Sequence, residues 1–584
     1  MKTRYSHPLS YLFILLLITL ASSNGSATAK TGTEKWCAQQ IFSHKESRIE
    51  ETLKGMTLSE KVGEMLIAQM EGHYSGSNDK EYDLMSRLVR QGKVGGMMFL
   101  KGNAFSAAML ANHFQSIAPR PLLMSADMER GMAMRLSGAT EFPPNMALAA
   151  IGDPRLAEEM AKAIAEESKL IGIHQNYAPT VDLNINPLNP IINTRSFGDN
   201  VPLTISMSNA IIKGLQSNGM VATAKHFPGH GDVVIDSHIS LPVLQLDRQQ
   251  LDAYELKPFR AAIEQGVISV MVGHIAVPKL TGTMEPASIS KIIVTDLLRR
   301  ELGFTGLIIT DALNMKALYD GQNVPEISVK AVQAGNDLLL FSPDPELAHS
   351  SIVKAVEEGL IPVEQIDASV RRILLVKQWL GIENRGLVDL NRIEMGINPE
   401  VHRTLARQIA ERAVTLVRDT NHNIPLKRDA SSGTILNIIL QDKANPETGK
   451  GYIEKLNRAY SATHIRIDPN TDSLGYANAA DLATKASAVL VTSYVKALAG
   501  SGTLTLTNMQ QQFIHSLAGL VPKETPLIFI SLGTPYIINS FPEITTYLCT
   551  YSSNEASEEL AIEAVRGELQ PRGVLPVSLQ GLSR

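Results

Sequence analysis

The sequence predicts an α/β protein: a (β/α)8 TIM-type barrel followed by a second, smaller α/β domain. Three observations carry that expectation. Eight short apolar runs alternate with amphipathic stretches between Val62 and Ser342. The runs are continuously apolar, as strands of a parallel sheet covered on both faces are. Titratable residues recur where the runs end, and barrels carry their active sites at the C-terminal ends of their strands.

The runs begin with "VGEMLIAQ" at Val62, "VGGMMFL" at Val94, "PLLMSAD" at Pro121 and "NYAPTVDL" at Asn176. They continue with "VATAKHF" at Val221, "VISVMVGHI" at Val267, "GLIITDAL" at Gly306 and "DLLLFS" at Asp337. Helical patterns separate them, such as Leu156 to Leu170. A doubly wound open sheet is the alternative; the count and length of the units favour the barrel. Asp127, Asp182, Lys225, His226, His274 and Asp311 all fall at run ends. Any one could be a helix cap, but their recurrence at equivalent positions points to a site.

Beyond Leu387 the pattern loosens in "LVDLNRIEMGINP". A helix is expected over "HRTLARQIAERAVTLV" from His402. Strands are expected at "TILNIIL", "SAVLVTSY", "PLIFISLG" and "TYLCTYS". The expected division is 1–29 signal peptide, 30–394 barrel and 395–584 second domain.

The ends and the composition narrow the function. Lys2 and Arg4 precede the apolar run Tyr11 to Ala21, and small residues follow, the layout of a secretory signal peptide. Export to the periplasm or the medium is expected, with cleavage between Ser22 and Lys30 and no stable membrane span afterwards. A net charge of -5 gives no basic footprint for nucleic acid. Cys37 and Cys549 cannot form a disulfide framework and are read as unpaired thiols.

The stretch Lys225 to His238, "KHFPGHGDVVIDSH", holds three His and two Asp in fourteen residues. Pro228, Gly229 and Gly231 disfavour a helix that would align His226 with His230. No HExxH accompanies them, so neither metal nor cofactor is expected. Asp236 and His238 stand two apart, which puts both on one side of an extended segment. A carboxylate beside an imidazole fixes its tautomer, and such a His can give a proton and later take one. Asp311, at the end of an apolar strand, can attack an electrophilic carbon. A carboxylate nucleophile with a separate proton shuttle is the logic of retaining glycoside hydrolysis, here with a His where a second carboxylic acid usually stands.

These residues resemble glycoside hydrolase family 3, and more narrowly its bacterial β-N-acetylhexosaminidase branch. "KHFPGHGDVVIDSHISLP" from Lys225 is the specific signature. "FPPNMALAAIGD" from Phe142, "APTVDLNINPLNPIINTRSFGDN" from Ala178, "GHIAVPKL" from Gly273 and "LLRRELGFTGLIITDALNMKAL" from Leu297 support it. The resemblance extends from about Gly55 to Leu579 and implies that the second domain is an α/β sandwich. It implies Asp311 as nucleophile and His238 as acid/base, with Asp236 as its partner. It implies that Asp127, Arg135, Arg195, Lys225 and His226 hold the terminal sugar. The Asp-x-His pair favours N-acetyl sugars, since members cleaving plain glucosides tend to take their acid/base from the second domain. The branch commonly reads "DQEGGRVxRL" where this chain reads "DMERGMAMRL", so Arg130 and Met132 depart from it. The expected partner is an N-acetylglucosamine-containing glycan. A glycoside phosphorylase, a β-glucosidase and a silent glycan-binding protein are the alternatives. A neutral His base, unlike a carboxylate, would not repel phosphate.

Overall fold

The computed structural model describes residues 37–579 except 44–45, 74–78, 320, 385, 427–432, 498–499, 501–503 and 505. The expected signal peptide therefore lies outside the described residues. Among the described residues no helix is long and apolar enough to cross a membrane.

The barrel strands are β1 (Leu66–Gly72), β2 (Gly96–Asn103), β3 (Leu123–Ala126) and, after a two-residue β4 (Leu136–Ser137), β5 (Gln175–Asn176). They continue with β6 (Val221–Phe227), β7 (Ser269–Val272), β8 (Leu307–Thr310) and β9 (Leu339–Leu340). Their order is β8-β7-β6-β5-β3-β2-β1-β9, with β4 beside β2. A parallel bridge between Ile309 and Leu338 joins β8 to the chain entering β9 and closes the ring. Each of the eight apolar runs contributes one of these strands. The fourth, like the eighth, has only two residues; its run leaves the sheet after Asn176 and meets β6 again through a bridge between Thr180 and Lys225. All seven residues of β6 are buried, which explains why its sequence shows no alternation. The outer helices carry local start signals. Helix Pro154–Leu170 begins with Pro after Asp153, whose side chain accepts from the Arg155 N–H.

The second sheet holds β10 (Thr415–Asp419), β11 (Ile435–Leu440), β12 (Ala462–Ile467), β13 (Ala488–Ser493), β14 (Leu527–Ser531) and β15 (Thr546–Cys549). Its order is β10-β15-β14-β13-β11-β12. Only β10 runs antiparallel to its neighbour. Successive side chains alternate between two cores. Leu436, Ile438 and Leu440 meet the helices Ser473–Lys485 and Asn508–Leu520 on one face. Ile435 and Ile439 meet Lys450–Ala459 and Glu555–Arg566 on the other. The result is an α/β sandwich behind a TIM barrel.

Two elements differ from expectation. The helix expected through Val417 ends at Ala413, and its last apolar residues open β10. Strand β12 was not anticipated; it is an edge strand whose residues are mostly half-buried, so its sequence lacks an apolar run. Both cysteines are free thiols, and burial pushes that of Cys549 up to about 12.

Candidate active site

A cleft of about 1020 Å³ opens at the C-terminal ends of the barrel strands. Asp127, Arg135, Arg195, Lys225, His226, His238 and Asp311 all line it. Asp236 lies beneath, its side chain wholly covered. The eight residues singled out in the sequence thus surround one space, although they span 185 positions from Asp127 to Asp311.

The floor is a network of alternating charges. The Lys225 ammonium is 2% exposed and donates to Asp127 at 2.7 Å, with the Glu129 carboxylate at 2.8 Å. Arg135 Nη2 donates to the other Asp127 oxygen at 2.8 Å. Arg195 donates to Glu129 through Nε at 3.0 Å and Nη2 at 2.7 Å. Burial alone would raise both carboxyls. The cations outweigh it: Lys225 and Arg135 hold Asp127 below its ordinary value, and Arg195 and Lys225 hold Glu129 well below. The loop itself is fixed from β5, since Asn176 accepts from the Met128 N–H at 2.9 Å and donates to its carbonyl at 3.2 Å.

Glu129 was not among the expected site residues, and neither was Asp182 beyond its place at a strand end. Asp182 organises the loop after β6. Its carboxylate accepts from the His226 backbone N–H at 3.1 Å, from His226 Nδ1 at 2.7 Å and from the His230 N–H at 2.8 Å. A carboxylate only accepts, so His226 carries its proton on Nδ1 and turns Nε2 toward Arg195, 3.5 Å away. Peptide bonds Lys225–His226 and Phe227–Pro228 are both cis. Gly231 is needed for close approach, because a Cβ there would collide with the Leu183 carbonyl. His230 is fully buried, and burial with His226 beside it pushes it down to about 4.

Farther along the loop, Asp236 Oδ1 accepts from His238 Nδ1 at 2.8 Å and from the His238 N–H at 2.9 Å. The ring nitrogen left over is Nε2, and the His238 side chain is 40% exposed. Asp236 Oδ2 accepts from the Gly500 N–H of the second domain at 2.7 Å. Burial would raise Asp236, but these bonds hold it below its ordinary value.

Asp311 is set by the β7–β8 ladder, its N–H donating to the Val272 carbonyl at 2.9 Å. Oδ1 accepts from the Ala312 N–H at 2.7 Å. Burial opposes its ionisation, yet His226 and His274 with that N–H bring it down to about 2. His274 is itself occupied, with Ser288 on Nδ1 and the Ala312 carbonyl on Nε2. Under the loop, Glu255 is fully buried, and both its oxygens lack a partner among the described residues. Burial, then Asp182 and Asp232, push it well above its ordinary value.

The arrangement can hold a polyhydroxylated ring on charged hydrogen bonds, present an ionised carboxylate to one face of it, and deliver a proton from an oriented imidazole. Among the described residues no group of three or more His, Cys, Asp or Glu could hold a metal ion.

The profile of the glycosyl hydrolase family 3 N-terminal domain matches residues 57–376. A β-N-acetylglucosaminidase/β-glucosidase of Cellulomonas fimi is 29% identical over 545 residues, 90% of this chain and 94% of that protein. The β-hexosaminidase A of Pseudoalteromonas piscicida is 31% identical over 517 residues, 80% of this chain and 85% of that one. Among solved structures, a family 3 β-N-acetylglucosaminidase from Paenibacillus sp. matches with TM-score 0.78 at 31% identity, covering 90% of this chain and 99% of its own. A β-glucoside phosphorylase matches with TM-score 0.82 at 25% identity, covering 92% and 99%.

Proposed function

Because the chain belongs to glycoside hydrolase family 3, we propose that it is an exo-acting, retaining β-N-acetylhexosaminidase that releases terminal N-acetylglucosamine. The observation that carries this reading is the His238–Asp236 pair at 2.8 Å in the cleft that Asp311 lines. The relatives named for β-N-acetylglucosaminidase and β-hexosaminidase activity support the choice of sugar.

In the first step an Asp311 oxygen attacks the anomeric carbon. The glycosidic C–O bond breaks, and the departing oxygen takes the proton from His238 Nε2. A glycosyl ester on Asp311 results. In the second step neutral His238 takes a proton from water, whose oxygen displaces Asp311. Asp236 keeps the ring oriented and stabilises its charged form in both steps. Asp127, Arg135, Arg195, Lys225 and His226 hold the terminal sugar. Peptidoglycan fragments or chitin-type oligosaccharides suit such an enzyme. The N-terminal layout supports export, testable by sequencing the mature N-terminus for a start between Ser22 and Lys30.

A second reading, phosphorolysis, is favoured by the likeness to a β-glucoside phosphorylase and by a base that adds no negative charge. Nitrophenyl β-glycosides of glucose, N-acetylglucosamine and N-acetylgalactosamine, assayed with and without phosphate, test both. The N-acetylglucosaminide should be the best substrate. A clear preference for the glucoside would remove the N-acetyl assignment, and sugar 1-phosphate as main product would favour the second reading.

A further inference from the structure

The cleft changes character from floor to mouth. Its floor cations are spent on carboxylates: Lys225, Arg135 and Arg195 serve Asp127 and Glu129. The mouth is less balanced. Arg130, 37% exposed, pairs with Glu141, 43% exposed. Lys443, from the loop after β11, and Lys496, from the loop after β13, line the same cleft and are exposed. No carboxylate lies within ion-pair distance of either lysine among the described residues. Lys496 Nζ reaches only Ser553 Oγ, at 3.2 Å. Burial in the cleft and the nearby Arg130 guanidinium push its ammonium down, while Glu141, Asp442 and Glu558 draw it back up. A cationic mouth on a chain of net charge -5 is a local feature, not a general one.

We propose that Arg130, Lys443 and Lys496 form an oxyanion subsite at the mouth of the cleft. It takes a carboxylate or phosphate group belonging to the leaving group or to the attacking acceptor. This rests on the exo-acting reading above: with the terminal sugar on the floor, the rest of the substrate passes through the mouth. An anion there relieves the repulsion between the facing cations and gains charge-assisted hydrogen bonds. A neutral aglycone does neither.

The test uses the full chain with para-carboxyphenyl and para-carbamoylphenyl β-N-acetylglucosaminides. The kcat/KM ratio of the two is compared between wild type and Lys443→Gln/Lys496→Gln, which cancels intrinsic leaving-group reactivity. The expected result is a fall of roughly tenfold in that ratio, with the carbamoyl substrate changed less than about twofold. Arg130→Gln, which strips Glu141 of its partner, should lower the ratio as well. Inorganic phosphate distinguishes the sources. If free phosphate is the occupant, it accelerates turnover with formation of sugar 1-phosphate in wild type, and the double variant loses that acceleration. Calorimetry with phosphate runs in parallel. Equal losses on both glycosides, or an unchanged ratio with unchanged phosphate affinity, overturn the subsite. If neither glycoside is turned over by wild type, the hydrolase reading has failed, and the calorimetric comparison still decides the subsite.

Discussion

The backbone N–H of Gly500 donates to Asp236 Oδ2 at 2.7 Å, while the other oxygen of the same carboxylate holds His238 at 2.8 Å. One carboxylate therefore ties a loop of the second domain to the imidazole on the barrel. Gly500 has φ +74°, and proline would remove the donor there. Gly500→Ala keeps the N–H at the modest cost of a left-handed alanine, whereas proline cannot adopt that φ and must also shift the turn. Against the alanine variant, Gly500→Pro should lose roughly a further tenfold in kcat/KM on poor leaving groups, as expected for one hydrogen bond to a charged group. Equal kinetics for the two variants would make the contact incidental to the chemistry.

Asp311→Asn keeps shape and the acceptor for the Ala312 N–H, but it removes the charge that attacks. Turnover should fall by several orders of magnitude, about the scale seen when other covalent nucleophiles are removed, with the fold intact. A folded variant with near-normal kcat would leave Asp311 as a backbone cap.

His238→Ala should fail most on glycosides whose aglycones need protonation to depart. Activated aryl glycosides should lose less in the first step and accumulate the covalent intermediate, since the second step still lacks its base. Asp236→Ala should show the same pattern in milder form. The measurement is kcat/KM across aryl aglycones of graded pKa. A flat loss across the series takes the acid role away from His238.

Glu255 gives a pH signature. Its folded pKa lies well above its ordinary value. The unfolded chain therefore releases a proton that the native state keeps, and stability falls as pH rises above the unfolded value, about 4.3. Glu255→Gln is neutral at every pH and removes that slope. Its Tm should exceed wild type at pH 7 and converge with it near pH 4. A variant less stable than wild type at both values would mean that the carboxyl has a structural task.

Much of this was readable in advance. Eight continuous apolar runs announced the barrel, because parallel strands buried on both faces leave no room for alternation. Asp127, Lys225, His226 and Asp311 stood out because they end such runs. Glu129 and Glu255 did not, and Asp182 stood out only as a run end with no task assigned, for a common reason. Glu129 meets Arg195 from 66 positions away, and Asp182 meets His226 from 44, so no local spacing betrays either. Strand β12 escaped because an edge strand needs few apolar residues, and β10 because its "TLV" continues a helical pattern. The Gly500 contact is a backbone donor, and any sequence can supply one.

The cleft is bounded by two sheets, one parallel and one mixed, whose strand ends converge on it. The barrel supplies the floor, and the loops after β11, β13, β14 and β15 supply much of the mouth. The proposed chemistry and the proposed aglycone subsite thus fall on different stretches of the chain. Exchanging residues near 443, 496 and 552–554 between homologues, while leaving the Asp236-facing turn at Gly500 in place, is a route to chimaeras that keep one chemistry and accept different aglycones.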